Sequence, residues 1–153
     1  MQWKEPPITK VYEALGTVAD GRVAISGNTA KVRSSSGNKS YDVTYDPAAD
    51  AIMVNDNASY WQGYLGYPAI AFLLDIGILE FRPELADLLK GVKWKDINQR
   101  FKNDFEKALE SIESRLNPDD RKALDEYAAS VHKRIGELHL SLLGKKVKPP
   151  QGY

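Results

Sequence analysis

The residues best equipped for chemistry lie between Lys31 and Tyr67. Asp42, Asp46, Asp50 and Asp56 punctuate two strand-like runs, and two of them at a suitable separation would serve general acid–base work. Each is also accounted for as a strand's solvent face or a turn residue. Asn55-Asp56-Asn57 then leads into Tyr60, Trp61, Tyr64 and Tyr67, the densest aromatic cluster in the chain. Tyr and Trp join large contact area to a polar handle, which suits a recognition surface. The competing role for these rings is to fold down and plug the gap between sheet and helices. Lys31, Arg33 and Lys39, beside Ser34 to Ser36, have the donors for phosphate contacts, although alternating charge also describes a solvated strand.

Other chemistries find little support. His132 and His139 are seven residues apart, about two turns or roughly 10 Å along a helix, too far to ligate one ion. There is no H-E-x-x-H pair and no Gly-x-Ser-x-Gly elbow for a serine nucleophile. Gly63-Tyr-Leu-Gly66 has neither a Walker lysine nor dinucleotide-binding spacing, and reads as a loop hinge. Without cysteine the chain has no disulfide scaffold and no thiolate chemistry. No cofactor and no metal are expected.

The 153 residues are enough for one domain with a real core, and the composition is that of an ordinary globular chain. The start lacks the apolar core of a signal peptide, so a cytoplasmic location is expected. The longest apolar run, from Tyr67 to Leu79, contains Asp75 and is too short to span a bilayer. Net charge is zero, which argues against a strong nucleic-acid binder while allowing a local basic patch.

The elements that must position these residues follow from periodicity. After an extended tail closed by Pro6-Pro7, Ile8, Val11, Tyr12 and Leu15 predict a short amphipathic helix, with Gly16 as its stop. Strands are predicted over 22–26, with Val23 and Ile25 on one face, over 30–34, over 41–45 and over 51–54. Turns at Gly27-Asn28, Ser34 to Asn38 and Asp46 to Asp50 join them into an antiparallel meander. A buried helix is predicted over 69–79 and a short one from Pro83 to Gly91. Asp96 with Gln99 offers a capping box for a helix along Ile97, Phe101, Phe105, Leu109, Ile112 and Leu116, roughly 30 Å long. Asn117-Pro118 restarts the chain, and an apolar stripe runs from Leu124 to Leu142, ending at Gly144. Leu140 and Leu143 lie off that stripe and predict a second contact surface.

The fold expected is therefore α+β: an antiparallel meander of about four strands packed under helices, with a long C-terminal antiparallel helical hairpin. One domain covers 1–144, with 8–56 mainly β after the short helix and 67–144 helical. Residues 145–153 form a flexible basic tail.

The central stretch resembles the SWIM-type zinc finger, in which a hairpin runs into Cys-x-Cys, a loop, and Cys-x-His opening a helix. Residues 32–45 look like the hairpin, Ile52-Met-Val54 lies where the first ligand pair would be, and Tyr67-Pro-Ala69 where the second would be. Ile52, Val54, Tyr67 and Ala69 replace all four ligands, so none can hold zinc, and apolar packing would stand in for the metal. The resemblance covers roughly residues 30–75 and implies binding to protein or nucleic acid, with no catalytic residue.

The leading expectation is a non-enzymatic interaction module. Its surface would comprise Asn55, Asp56, Asn57, Tyr60, Trp61 and Tyr64 with Lys31, Arg33 and Lys39, its partner a protein in the first place and nucleic acid in the second. The rival is a small-molecule-binding protein or enzyme using Asp56, Asn55 and Tyr60 in a pocket beneath the loop. A third is a homodimer through the helical hairpin.

Overall fold

The computed structural model describes residues 1–151. The fold is α+β, as the sequence predicts. Strands β1 (Val23–Ser26), β2 (Thr29–Arg33), β3 (Ser40–Asp46) and β4 (Ala51–Val54) form the antiparallel meander in that order. A fifth strand, β5 (Ser141–Leu142), pairs parallel with β4. Registers such as Val32↔Tyr41 and Tyr45↔Ile52 put Ala30, Val32, Tyr41, Val43, Tyr45, Ile52 and Val54 on one buried face. Lys31 and Arg33 alternate onto the opposite, solvent face.

Two helices carry the core. α3 (Tyr67–Asp75) is buried from Pro68 to Leu74 and packs on β1 to β4 and on α1 (Thr9–Ala19). It is shorter than its apolar run, because Gly77 turns the chain at φ +85° and the Leu79 N–H bonds to the Leu73 carbonyl at 3.1 Å. Helix α1 is buried on every side from Thr9 to Thr17, which includes Lys10 and Glu13. Gly16 does not end it. A Cβ there would lie 3.0 Å from the Trp94 Nε1 and 3.1 Å from the Leu89 carbonyl, so this glycine permits close packing inside the helix.

Elsewhere the chain departs from its simplest pattern. Residues 57–62, where no helix or strand is predicted, form α2 (Asn57–Gln62), capped by the Asp56 side chain, with Gly63 closing it at φ +77°. Ile25 is exposed, because β1 is the sheet's edge strand. The short helix at Pro83 forms as α4 (Pro83–Ala86), followed by a 3₁₀ turn (Asp87–Leu89).

The first arm of the expected hairpin is broken. α5 (Trp94–Arg100) starts without a side-chain cap, so the capping box at Asp96 does not form. Lys102 and Asn103 adopt φ of 53° and 62°, and Asp104 caps α6 (Phe105–Glu113) by accepting from the Lys107 N–H. The second arm, α7 (Pro118–Leu138), begins at the predicted Asn117 cap and stops at His139, whose backbone is left-handed. Leu140 is then buried in the protein's own core, where its carbonyl accepts from the Trp3 N–H, which removes the reason to place a second contact surface there.

The N-terminal segment is no free tail: Gln2 bridges Ser141, and Trp3 Nε1 donates to the Ile52 carbonyl at 2.8 Å. Residues 145–151 add no helix or strand, and the last two residues of the expected tail lie outside the described residues. No helix among the described residues is long and apolar enough to cross a membrane.

Candidate ligand-binding cleft

A cleft of about 770 Å³ opens between α1, α2 and the start of α3 on one side and α5 with the first residue of α6 on the other. Its second wall bends at the α5–α6 break: Asn98 from α5, Asn103 from the turn at 101–104 and Phe105 from the start of α6 all line it.

Helix α1 contributes two buried charged side chains. Lys10 and Glu13, one turn apart, are both buried and paired at 3.1 Å. Glu13 also accepts from Asn98 Nδ2 at 2.6 Å, which ties α1 to α5. The Lys10 ammonium lies 4.4 Å from the centre of the Phe105 ring, a cation–π contact from α6. Burial acts to lower the Lys10 pKa, but the Glu13 carboxylate, helped by Tyr64 and Asp56, holds it above its ordinary value. Lys10 is therefore a fixed cation and not a neutral amine nucleophile.

Asp56 forms the next part of the floor. Its Oδ1 accepts from Ser59 Oγ at 2.5 Å, and Ser59 Oγ in turn accepts from the Gly66 N–H at 2.9 Å. Burial pushes the Asp56 carboxyl up, an effect that the Ser59 hydrogen bonds and Lys10 only partly offset. Tyr41, Tyr64 and Tyr67 line the cleft beside it, and burial raises all three phenols so that they stay protonated. Tyr41 and Tyr67 meet edge to face, centroids 6.2 Å apart. Trp61, Trp94 and Phe105 supply ring surface, and Asn57, Gln62, Gln99 and Lys39 supply polar groups. Arg22 is a structural member: it donates to the Arg33 carbonyl at 2.8 Å and Thr17 Oγ1 at 3.2 Å, and pairs with Asp20.

The predicted site residues divide in two. Asp56, Asn57, Trp61, Tyr64 and Lys39 come together around the cleft. Asn55 does not: its Oδ1 accepts from the Asp42 N–H at 2.7 Å, holding the end of β4 against β3. Tyr60 packs on Trp61 away from the cleft lining, and its carbonyl accepts from Lys146 Nζ. Lys31 and Arg33 occupy the far face of the sheet, where Lys31 pairs with Asp42 at 2.7 Å. The predicted nine residues therefore do not form one surface. Sequence reasoning missed Lys10, Glu13, Trp94, Asn98 and Phe105. The signal for Lys10 and Glu13 was their charge on a helix that proves to be central, a fact invisible until the helix is placed.

The histidines stand apart from the cleft. His132 Nε2 lies 2.8 Å from the Pro6 carbonyl, and His139 forms the cap of α7. A family model matches residues 3–141. The chain belongs to that family, described as "Uncharacterised conserved protein UCP014422". No curated protein and no solved structure matches the chain. The UCP014422 match takes in the whole lining of the cleft, from Pro7 to Phe105, and extends to the first residue of β5.

Proposed function

We propose that the protein is a small-molecule-binding protein whose site is the cleft between α1, α2 and α5. The observation that carries this reading is a concavity of about 770 Å³, floored by the buried Lys10–Glu13 pair and walled by aromatic rings. That volume falls within the size range of organic-ligand sites, roughly 300–1,000 Å³. Desolvating an ion pair costs several kcal/mol per ion before attraction returns any of it, as an order-of-magnitude figure. A helix that needed only to pack would be better served by apolar side chains at positions 10 and 13. Relative to the sequence-based expectations, this favours the rival pocket, with Asp56 kept and Asn55 and Tyr60 replaced by Lys10, Glu13 and Tyr67. The test is a thermal-shift screen of a diverse small-molecule library against the wild type and Ala58→Trp, which places an indole in the cleft mouth. Hits that raise the wild-type melting temperature should lose that effect in the variant. Hits that stabilise both equally refute the reading.

A second reading keeps the interaction module, and one observation favours it: Trp61 is 69% exposed at the cleft's edge. A partner protein would then cover Trp61 from outside, and Trp61→Ala would abolish its capture. The SWIM resemblance stays a proposal beside it, supported by the complete burial of Ile52 and Ala69 and near-complete burial of Val54, three of the four ligand-equivalent positions.

A further inference from the structure

The donors and acceptors on the cleft floor are unequally committed. The two carboxylates are occupied: Glu13 accepts from Lys10 and from Asn98, and Asp56 accepts from Ser59 Oγ and from the Ser59 N–H. The donors are not. Lys10 carries three N–H groups and gives one to Glu13. The hydroxyls of Tyr41, Tyr64 and Tyr67 line the same space and have no hydrogen-bond partner among the described residues. An ammonium cannot accept, so a cationic guest meets a like charge and carboxylate oxygens that each already hold one donor. A neutral hydrocarbon would leave the Lys10 donors unmet, at a cost that buried polar groups rarely bear. Beside this polar floor stand the rings of Trp61, Trp94 and Phe105.

We propose that the ligand of this cleft is an organic oxyanion with a flat ring system. Its carboxylate, sulfonate or phosphate sits against the Lys10 ammonium and the Tyr41, Tyr64 and Tyr67 hydroxyls, its ring against Trp61, Trp94 and Phe105. This rests on the cleft being a ligand site and goes further by fixing the ligand's charge. Glu13 acts as a positioning residue: it holds Lys10 over the Phe105 ring and keeps it charged, and Asn98 holds Glu13.

A matched pair of dyes on the full chain tests the charge and the site separately. 8-Anilinonaphthalene-1-sulfonate is a ring-bearing anion, and N-phenyl-1-naphthylamine is the same ring system without the sulfonate. Fluorescence titration and calorimetry should give one site for the sulfonate, with the amine weaker by about tenfold or more, the scale of a charge-assisted hydrogen bond. Ala58→Trp should remove that site. Tyr67→Phe deletes a hydroxyl that no protein group uses, and should weaken the sulfonate by roughly threefold to tenfold while sparing the amine. Lys10→Gln combined with Glu13→Gln leaves a neutral, hydrogen-bonding pair, and circular dichroism should confirm its fold. In that variant the preference for the sulfonate should vanish. Equal affinity for both dyes, each lost in Ala58→Trp, overturns the oxyanion and leaves the cleft as a site. A preference that survives in both the Tyr67→Phe and the Lys10/Glu13 variants overturns it as well. If neither dye binds and the library screen also finds no hit, the cleft reading falls and takes the oxyanion with it.

Discussion

Gly66 and Asp56 show how closely one residue type can be dictated by another. A Cβ on Gly66 would lie 1.9 Å from Asp56 Oδ2, although the Gly66 backbone, at φ −75°, is one that any residue can adopt. Space, and not backbone freedom, requires glycine there. Gly66→Ala should therefore destabilise the protein by about 2–3 kcal/mol, read from urea unfolding. Asp56→Ala should lose about 1–2 kcal/mol, because α2 loses its cap and Ser59 Oγ its acceptor. Asp56→Asn keeps an oxygen for the cap and should retain most of the stability lost in Asp56→Ala. At this scale the sequence was only half legible. Asn55-Asp56-Asn57 stood out as a polar cluster beside aromatic residues, but Asp56-x-x-Ser59 was not read as a helix start. The reason is that α2 spans Asn57–Gln62, too short for a 3.6-residue period to declare itself.

Among the elements, the break between α5 and α6 decides the most. An apolar residue every three or four positions from Ile97 to Leu116 fits one long helix and two short ones equally well. The signals that separate them are local: Asn103 tolerates the left-handed backbone, and Asp104 is a natural cap. Asp104→Ala should cost about 1 kcal/mol in urea or thermal unfolding. The strands were easier, since alternation along β2 and β3 identifies the buried face directly, whereas the parallel pairing of β5 leaves no mark in a two-residue strand.

Where α6 meets α7, the Glu113 carboxyl is raised to about 8, first by burial and then by the neighbouring Asp125 carboxyl. Tyr12 from α1 donates to Asp125 at 2.6 Å, and Glu110 and Arg121 complete the charged surroundings. Folded protein therefore keeps a proton on Glu113 up to about pH 8, whereas the unfolded chain releases it near the ordinary value of 4.5. The native state binds more protons across that interval, so this group's contribution to stability declines as pH rises through it and levels off above. Glu113→Gln should flatten that decline, seen by comparing urea midpoints of wild type and variant at acidic, neutral and alkaline pH.

For the whole molecule, one apolar cluster joins Trp3 at one end of the chain to Leu140 near the other. Trp3 is buried and its indole holds the Ile52 carbonyl, so Trp3→Ala should cost about 3–5 kcal/mol in urea unfolding. The sequence made the layers legible but not this closure, because Met1 to Pro7 carries no period and reads as a tail. Its order arises only from partners far along the chain, as in the bond from the Leu142 N–H to the Met1 carbonyl at 2.8 Å.

The late arrival of β5 has a consequence during synthesis. A ribosome has finished β4 and all of α7 before it makes Ser141 and Leu142, so the outer side of β4 stays bare for the intervening eighty-odd residues, about several seconds of elongation. Chains truncated before residue 139 should cling to one another or to a holdase through that uncovered rim, and released chains that include residue 143 should not.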